Sequence, residues 1–196
     1  MLDDRVLDTL FRNARSQNGW RDEPVADSLL RELYDLVKLG PTSANTTPAR
    51  FLFLRTTAAK ERLRPFLVPA NVSKVMDAPV TAVIGFDTRF YELLPRLFPH
   101  NQAARGWFAS SGKEEHAFTT AFRNGTLQAG YFIMAARALG LDCGPLSGFD
   151  HTGVDREFWH GTHVRTNFLC ALGHGDPSKV LARHPRLDFA EACTML

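Results

Sequence analysis

The chain has 196 residues, 44% of them apolar, and a net charge of +2 with both signs interspersed, which is enough for one domain with a substantial core and excludes a disordered chain. There is no basic stripe to hold nucleic acid, and no apolar run reaches the ~18 residues of a membrane span. Three widely spaced cysteines, Cys143, Cys170 and Cys193, fit reduced thiols in the cytoplasm, and the charged Met1-Leu-Asp-Asp-Arg5 lacks the apolar stretch of a signal peptide.

Val6, Leu7, Leu10, Phe11 and Ala14 recur at helical spacing, which predicts a helix over residues 3–14, broken by Ser16-Gln-Asn-Gly19. After Pro24, Asp27 or Ser28 is a plausible N-cap for an amphipathic helix carrying Leu29, Leu30, Leu33, Leu36 and Val37. Gly40-Pro41 ends that helix. Phe51-Leu-Phe-Leu54 reads as a buried strand. Thr56 or Thr57 opens a short helix to about residue 66, and Asn71 starts another to about residue 77. Pro79-Val-Thr-Ala-Val-Ile-Gly-Phe86 is the clearest strand. Residues 88–113 hold Phe90, Tyr91, Leu94, Leu97 and Phe98, then Trp107 and Ser110-Ser-Gly112. This reads as a short helix and a loop that could lie over a site. The strongest helix spans 114–139, with Phe118, Ala121, Phe122, Gly125, Ala129, Phe132, Ala136 and Leu139 near one stripe and Gly140 as its cap. A loop, Gly144-Pro-Leu-Ser-Gly-Phe149, and a strand, Phe168-Leu-Cys-Ala-Leu172, complete the order. One α+β domain over 1–196 is expected, with helices layered around a small sheet.

Three polar segments stand out. Gly40-Pro-Thr-Ser-Ala-Asn-Thr-Thr-Pro48 is stiffened by two prolines and offers short hydrogen-bonding groups at Thr42, Ser43 and Asn45. It suits the edge of a heterocycle, or simply turns a helix into a strand. Asn71 and Lys74 lie one turn apart on a helix face, so an amide and an ammonium could meet a carbonyl and a negative charge. Gly148 permits a close backbone approach, beside Ser147. A phosphate needs two or three cations or N–H donors. Arg15 with Ser16, and Lys179 with Arg183, are candidates at opposite ends of the chain. Other chemistries find no support. His160-Gly-Thr-His163 lacks further metal ligands, so no metal is expected. P-loop, GxGxxG and GxSxG patterns are absent from the sequence.

In order and spacing these pieces resemble the nitroreductase family along nearly the whole chain. The resemblance implies a three-layer α/β/α fold with a small, mostly antiparallel sheet. It also implies an intertwined homodimer with FMN at the subunit interface and NADPH or NADH as donor. It gives cofactor roles to Arg15, Ser16, Thr42, Ser43, Asn45, Asn71, Lys74, Ser147, Gly148, Lys179 and Arg183, with Gly148 positioning the reactive flavin atom. The family's usual Arg-Arg-Ser-x-Arg-x-Phe reads Ala14-Arg-Ser-Gln-Asn-Gly-Trp20 here, so two basic positions are lost. Gly-Pro-Thr-Ser-Ala-Asn45, Leu97-Phe-Pro-His100, Gly144-Pro-Leu-Ser-Gly-Phe-Asp150 and Ala182-Arg-His-Pro-Arg186 are similar to the malonic semialdehyde reductase branch of pyrimidine utilisation. The implied reaction is ping-pong hydride transfer through the flavin to a small, anionic aldehyde. Arg50, Arg89, Arg105 and Arg123 are candidates for its carboxylate, and Arg89 or Arg105 is the expected one. A nitroarene or quinone reductase is the alternative enzyme; a flavin-binding protein without turnover is the alternative of another class.

Overall fold

The sheet has four strands in the order β1-β2-β4-β3, and each neighbouring pair is antiparallel. They are β1 Ala49–Leu54, β2 Val80–Asp87, β3 Asp142–Leu146 and β4 Val164–Gly173. The computed structural model describes residues 3–196, and Met1 and Leu2 of the charged N-terminal segment lie outside the described residues. Strand alternation builds two cores. Val80, Ala82 and Ile84 meet α2 (Asp27–Val37) and α7 (Glu114–Ala138) through Leu33, Val37, Phe132 and Ala136. Val83, Leu146 and Leu169 turn to the other face, toward α3 (Thr57–Leu63), α4 (Pro69–Met76) and α8 (His151–Phe158). The three-layer architecture expected from the sequence is therefore present. Gly125 lets α7 lie against the sheet, because a Cβ there would come within 2.7 Å of Phe86 Cβ.

Local signals account for the differences from expectation. The first helix is not one regular run over 3–14: α1 (Asp4–Leu7) continues as a π turn over Asp8–Arg12, where Asn13 N–H donates to Asp8 O at 2.8 Å. Of the two threonines expected to open α3, Thr56 is its cap, accepting from Ala59 N–H at 3.1 Å, whereas Asp27 is the first helical residue of α2 and not its cap. The helix expected from Asn71 begins at Pro69, since proline suits the first turn. Residues 142–146, read in part as loop, form β3, whose proline is tolerated because the strand lies at the sheet edge. Helix α8 was hidden by Gly153 in its first turn. Strand β4 starts at Val164, four residues early, through polar Arg165, Thr166 and Asn167. Its register slips opposite Ile84/Gly85, leaving Asn167 as the extra residue. Residues 88–113 hold more helix than expected. Two 3₁₀ turns, α5 (Leu94–Leu97) and α6 (Gly106–Ala109) enclose a separate small core of Phe86, Phe90, Leu94, Phe108 and Ala121.

Candidate active site

The junction of α4 and β3 gathers four of the predicted residues. Asn71 Nδ2 donates to Gly148 O at 3.1 Å, and Val68 N–H donates to the same carbonyl at 3.2 Å. Lys74 Nζ reaches Pro145 O at 3.4 Å, and Trp20 Nε1 donates to Lys74 O at 2.9 Å. Gly148 allows this close packing, since a Cβ there would come within 2.8 Å of Asn71 Nδ2. Ser147 stands exposed beside it. Lys74 is only 9% exposed, so its ammonium has three N–H donors and one long protein contact among the described residues. Desolvation pushes its pKa down. A buried cation so poorly matched is set up to receive an acceptor from outside the chain. Nearby, the buried Gln17 carries a side-chain oxygen, Oε1, that meets no partner.

The two chain ends meet beside this junction, as a shared phosphate role for them requires. Ser16 bridges to Cys143 at the outer edge of β3. Arg15 donates to Leu181 O, and Arg183 donates to Arg12 O at 2.6 Å and Ala14 O at 3.0 Å. Arg15, Ser16 and Arg183 line a cavity of about 380 Å³. Two basic residues that sequence reasoning missed, Arg137 and Arg186, line it too, and no carboxylate is among its lining residues. Arg137 closes the last turn of a helix, where a cation ordinarily just offsets the helix dipole, so nothing in the sequence marked it out. Lys179 lies outside this cavity, with its stem over Gly19.

The 42–47 loop is elsewhere. It precedes β1 while Gly148 follows β3, and those strands are the two edges of the sheet. Three strand spacings, about 14 Å, separate them. Ser43 N–H donates to Asn124 Oδ1 of α7 at 2.8 Å, and Asn45 Nδ2 donates to Leu97 O at 2.8 Å. The loop is strained: Ala44, Asn45 and Thr47 have φ of 47°, 49° and 36°, positions costing about 1–3 kcal/mol each. Thr46 Oγ1 is buried there without a partner. One chain therefore does not bring Thr42, Ser43 and Asn45 to Asn71, Lys74 and Gly148.

The predicted substrate arginines belong to the loop's side of the molecule. Arg89 and Arg105 both bind Glu92, at 3.0 and 2.8 Å. Arg105, then Arg89, pull the Glu92 pKa down to about 2. Arg89 also faces His163 Nε2 at 3.2 Å. Arg50 is held by Asp87 at 2.6 Å.

A family profile described as Nitroreductase family matches residues 12–174. A protein of Cupriavidus pinatubonensis named "Putative NADH dehydrogenase/NAD(P)H nitroreductase" is 61% identical over 195 residues, covering 100% of both chains. Two solved structures, named with the same qualifier, share the fold. A Bacillus subtilis nitroreductase, ydfN, is 20% identical with a TM-score of 0.89, over 99% of this chain and 100% of its own. A nitroreductase in complex with FMN from Exiguobacterium sibiricum is 16% identical with a TM-score of 0.87, over 100% of this chain and 98% of its own.

Proposed function

Because this chain belongs to the nitroreductase family, we propose that it is an FMN-dependent NAD(P)H oxidoreductase that reduces malonic semialdehyde to 3-hydroxypropionate. The observation that carries the cofactor is the buried, under-partnered Lys74 beside Gly148, next to an arginine cavity whose lining has no carboxylate. Those groups fit a heterocycle carrying carbonyls and a phosphate. The relatives' names for NAD(P)H, and the FMN of the Exiguobacterium structure, support the same reading.

Bound FMN supplies the hydride relay between NAD(P)H and the acceptor. The chain supplies position and charge. Arg15, Ser16 and Arg183 hold the phosphate. Asn71 and Lys74 would hold the ring's carbonyl edge, and the Lys74 ammonium would offset negative charge there. Gly148, lacking a Cβ, lets the Asn71 amide and Val68 pack close against the loop beside Ser147. Thr42, Ser43 and Asn45 come from a second copy, so that a homodimer completes each site. On the acceptor side, two guanidiniums share the one Glu92 carboxylate. The surplus positive charge suits the carboxylate of a small aldehyde acid.

A second reading, a nitroarene or quinone reductase, is favoured by the relatives' names and by exposed Trp107, Phe118 and Phe122, which suit a flat aromatic acceptor. One experiment separates them. The FMN-loaded protein is reduced anaerobically with limiting NADPH and mixed with malonic semialdehyde or with a nitroarene, while the flavin absorbance is followed. Rapid recovery with the semialdehyde supports the first reading. Recovery with the nitroarene alone replaces it with the second.

A further inference from the structure

We propose that Arg137, with Arg186 beside it, supplies the phosphate-binding charge that this chain lacks at Ala14 and Asn18. The inference rests on the FMN reading above. Ala14 and Asn18 stand where the motif this chain resembles carries arginines, and both line the cavity that holds Arg15 and Ser16. Arg137 and Arg186 enter that same cavity from elsewhere in the chain, one from the end of α7 and one from the C-terminal segment. The positive charge has moved in sequence and stayed in place in space.

Three features make Arg137 the central member. It is half-buried, and Nη1 donates to Leu10 O at 2.9 Å and meets Met134 Sδ at 3.8 Å, so one end of the guanidinium is tethered while most of its donors remain available. It lies in the last turn of a long helix. The negative end of that helix would repel a phosphate unless a cation stood there. Its surroundings in the cavity include Phe11 and Leu181 and no acid, so its charge is not already spent on a partner. A partly desolvated guanidinium–phosphate contact is stronger than one in open water. Arg186 is more exposed, and its Nη1 donates to His184 O at 2.9 Å and Pro185 O at 3.1 Å.

The test compares FMN with riboflavin, which has the same ring and chain but no phosphate. Both are titrated by flavin fluorescence into full-length wild type, Arg137→Gln, Arg137→Lys, Arg186→Gln, and Arg137→Gln combined with Ala14→Arg. Wild type is expected to prefer FMN. Arg137→Gln should weaken FMN binding about 10- to 100-fold, the loss of one charge-assisted hydrogen bond, and leave riboflavin binding unchanged. Arg186→Gln should act in the same direction and less strongly. Lysine at 137 should keep most of the preference, and Ala14→Arg should restore it to the Arg137→Gln protein. Equal losses for both flavins in Arg137→Gln would mean that Arg137 only braces Leu10, and would overturn the assignment. A wild-type preference that survives Arg137→Gln overturns this assignment alone. A wild type with no preference for FMN overturns the cofactor reading and this assignment with it.

Discussion

Lys74 carries a cost in the absence of cofactor. Its ammonium is buried against a single carbonyl 3.4 Å away, so Lys74→Met should stabilise the apoprotein by about 1 kcal/mol, seen as a higher urea midpoint. The same change should weaken FMN binding and lower the midpoint potential of the bound flavin, because the cation that favours the reduced, anionic form is gone. An unchanged potential would remove Lys74 from the ring edge. Glu92 makes a pH prediction. Its carboxyl is held near 2, below an ordinary 4.5, by Arg105 and Arg89. A depressed carboxylate contributes stability that is present above about 4.5 and is lost as pH falls toward 2. The melting temperature of wild type should therefore fall more steeply across that window than that of Glu92→Gln. The effect should be modest, because these groups are partly exposed and screened. At this scale the sequence showed which residue types could bind a flavin but not their burial. A lysine in isolation reads as solvated, and the approach of β3 at Gly144, where a Cβ would come within 2.6 Å of Lys74 Cε, helps to make Lys74 a buried one.

Among the elements, α7 does most to place the site. Its first half anchors the 42–47 loop through Asn124, its middle lies on the sheet at Gly125, and its last turn carries Arg137. Gly125→Ala would push a methyl to 2.7 Å from Phe86 Cβ and should cost about 1–3 kcal/mol in overpacking. Gly130→Ala on the same helix meets nothing within 4 Å and should gain up to about 1 kcal/mol from helix propensity. Opposite shifts of the two urea midpoints would confirm that closeness to the sheet sets the glycine requirement. Helix α7 was legible because it is long and its apolar residues from Phe118 to Leu139 keep a helical spacing, although Phe118 and Phe122 of that stripe are exposed and the buried face also holds Thr120, Asn124 and Gln128. Strand β3 and helix α8 were not. Pro145 and Gly153 are breakers by local preference, and each is tolerated for a tertiary reason: a place on the last strand of the sheet for one, a tight approach to Phe66 for the other.

For the whole molecule, the decisive fact is that the predicted cofactor residues divide into two sets at opposite sheet edges. The order of the motifs along the chain could not reveal this, because spatial strand order β1-β2-β4-β3 is not sequence order. One set holds Arg15, Ser16, Asn71, Lys74, Ser147, Gly148 and Arg183, with Lys179 outside its cavity over Gly19; the other holds Thr42, Ser43 and Asn45 on the side of the Arg89–Glu92–Arg105 cluster. If a second copy completes each site, damage to the two sets must complement between subunits. A protein carrying Lys74→Met has one set spoiled, and a protein carrying Ser43→Ala with Asn45→Ala has the other. Each should lose NAD(P)H-dependent reduction when purified alone. Mixed by co-expression, the pair should form heterodimers in which one site has both damaged sets and the other has neither. Random pairing then returns about a quarter of wild-type sites. Turnover per subunit and tightly held FMN should recover to that level together, and dilution that separates the subunits should abolish both. Recovery no greater than the sum of the two parents would place the whole site within one chain, and would require the 42–47 loop to leave Asn124 and Leu97 to reach it.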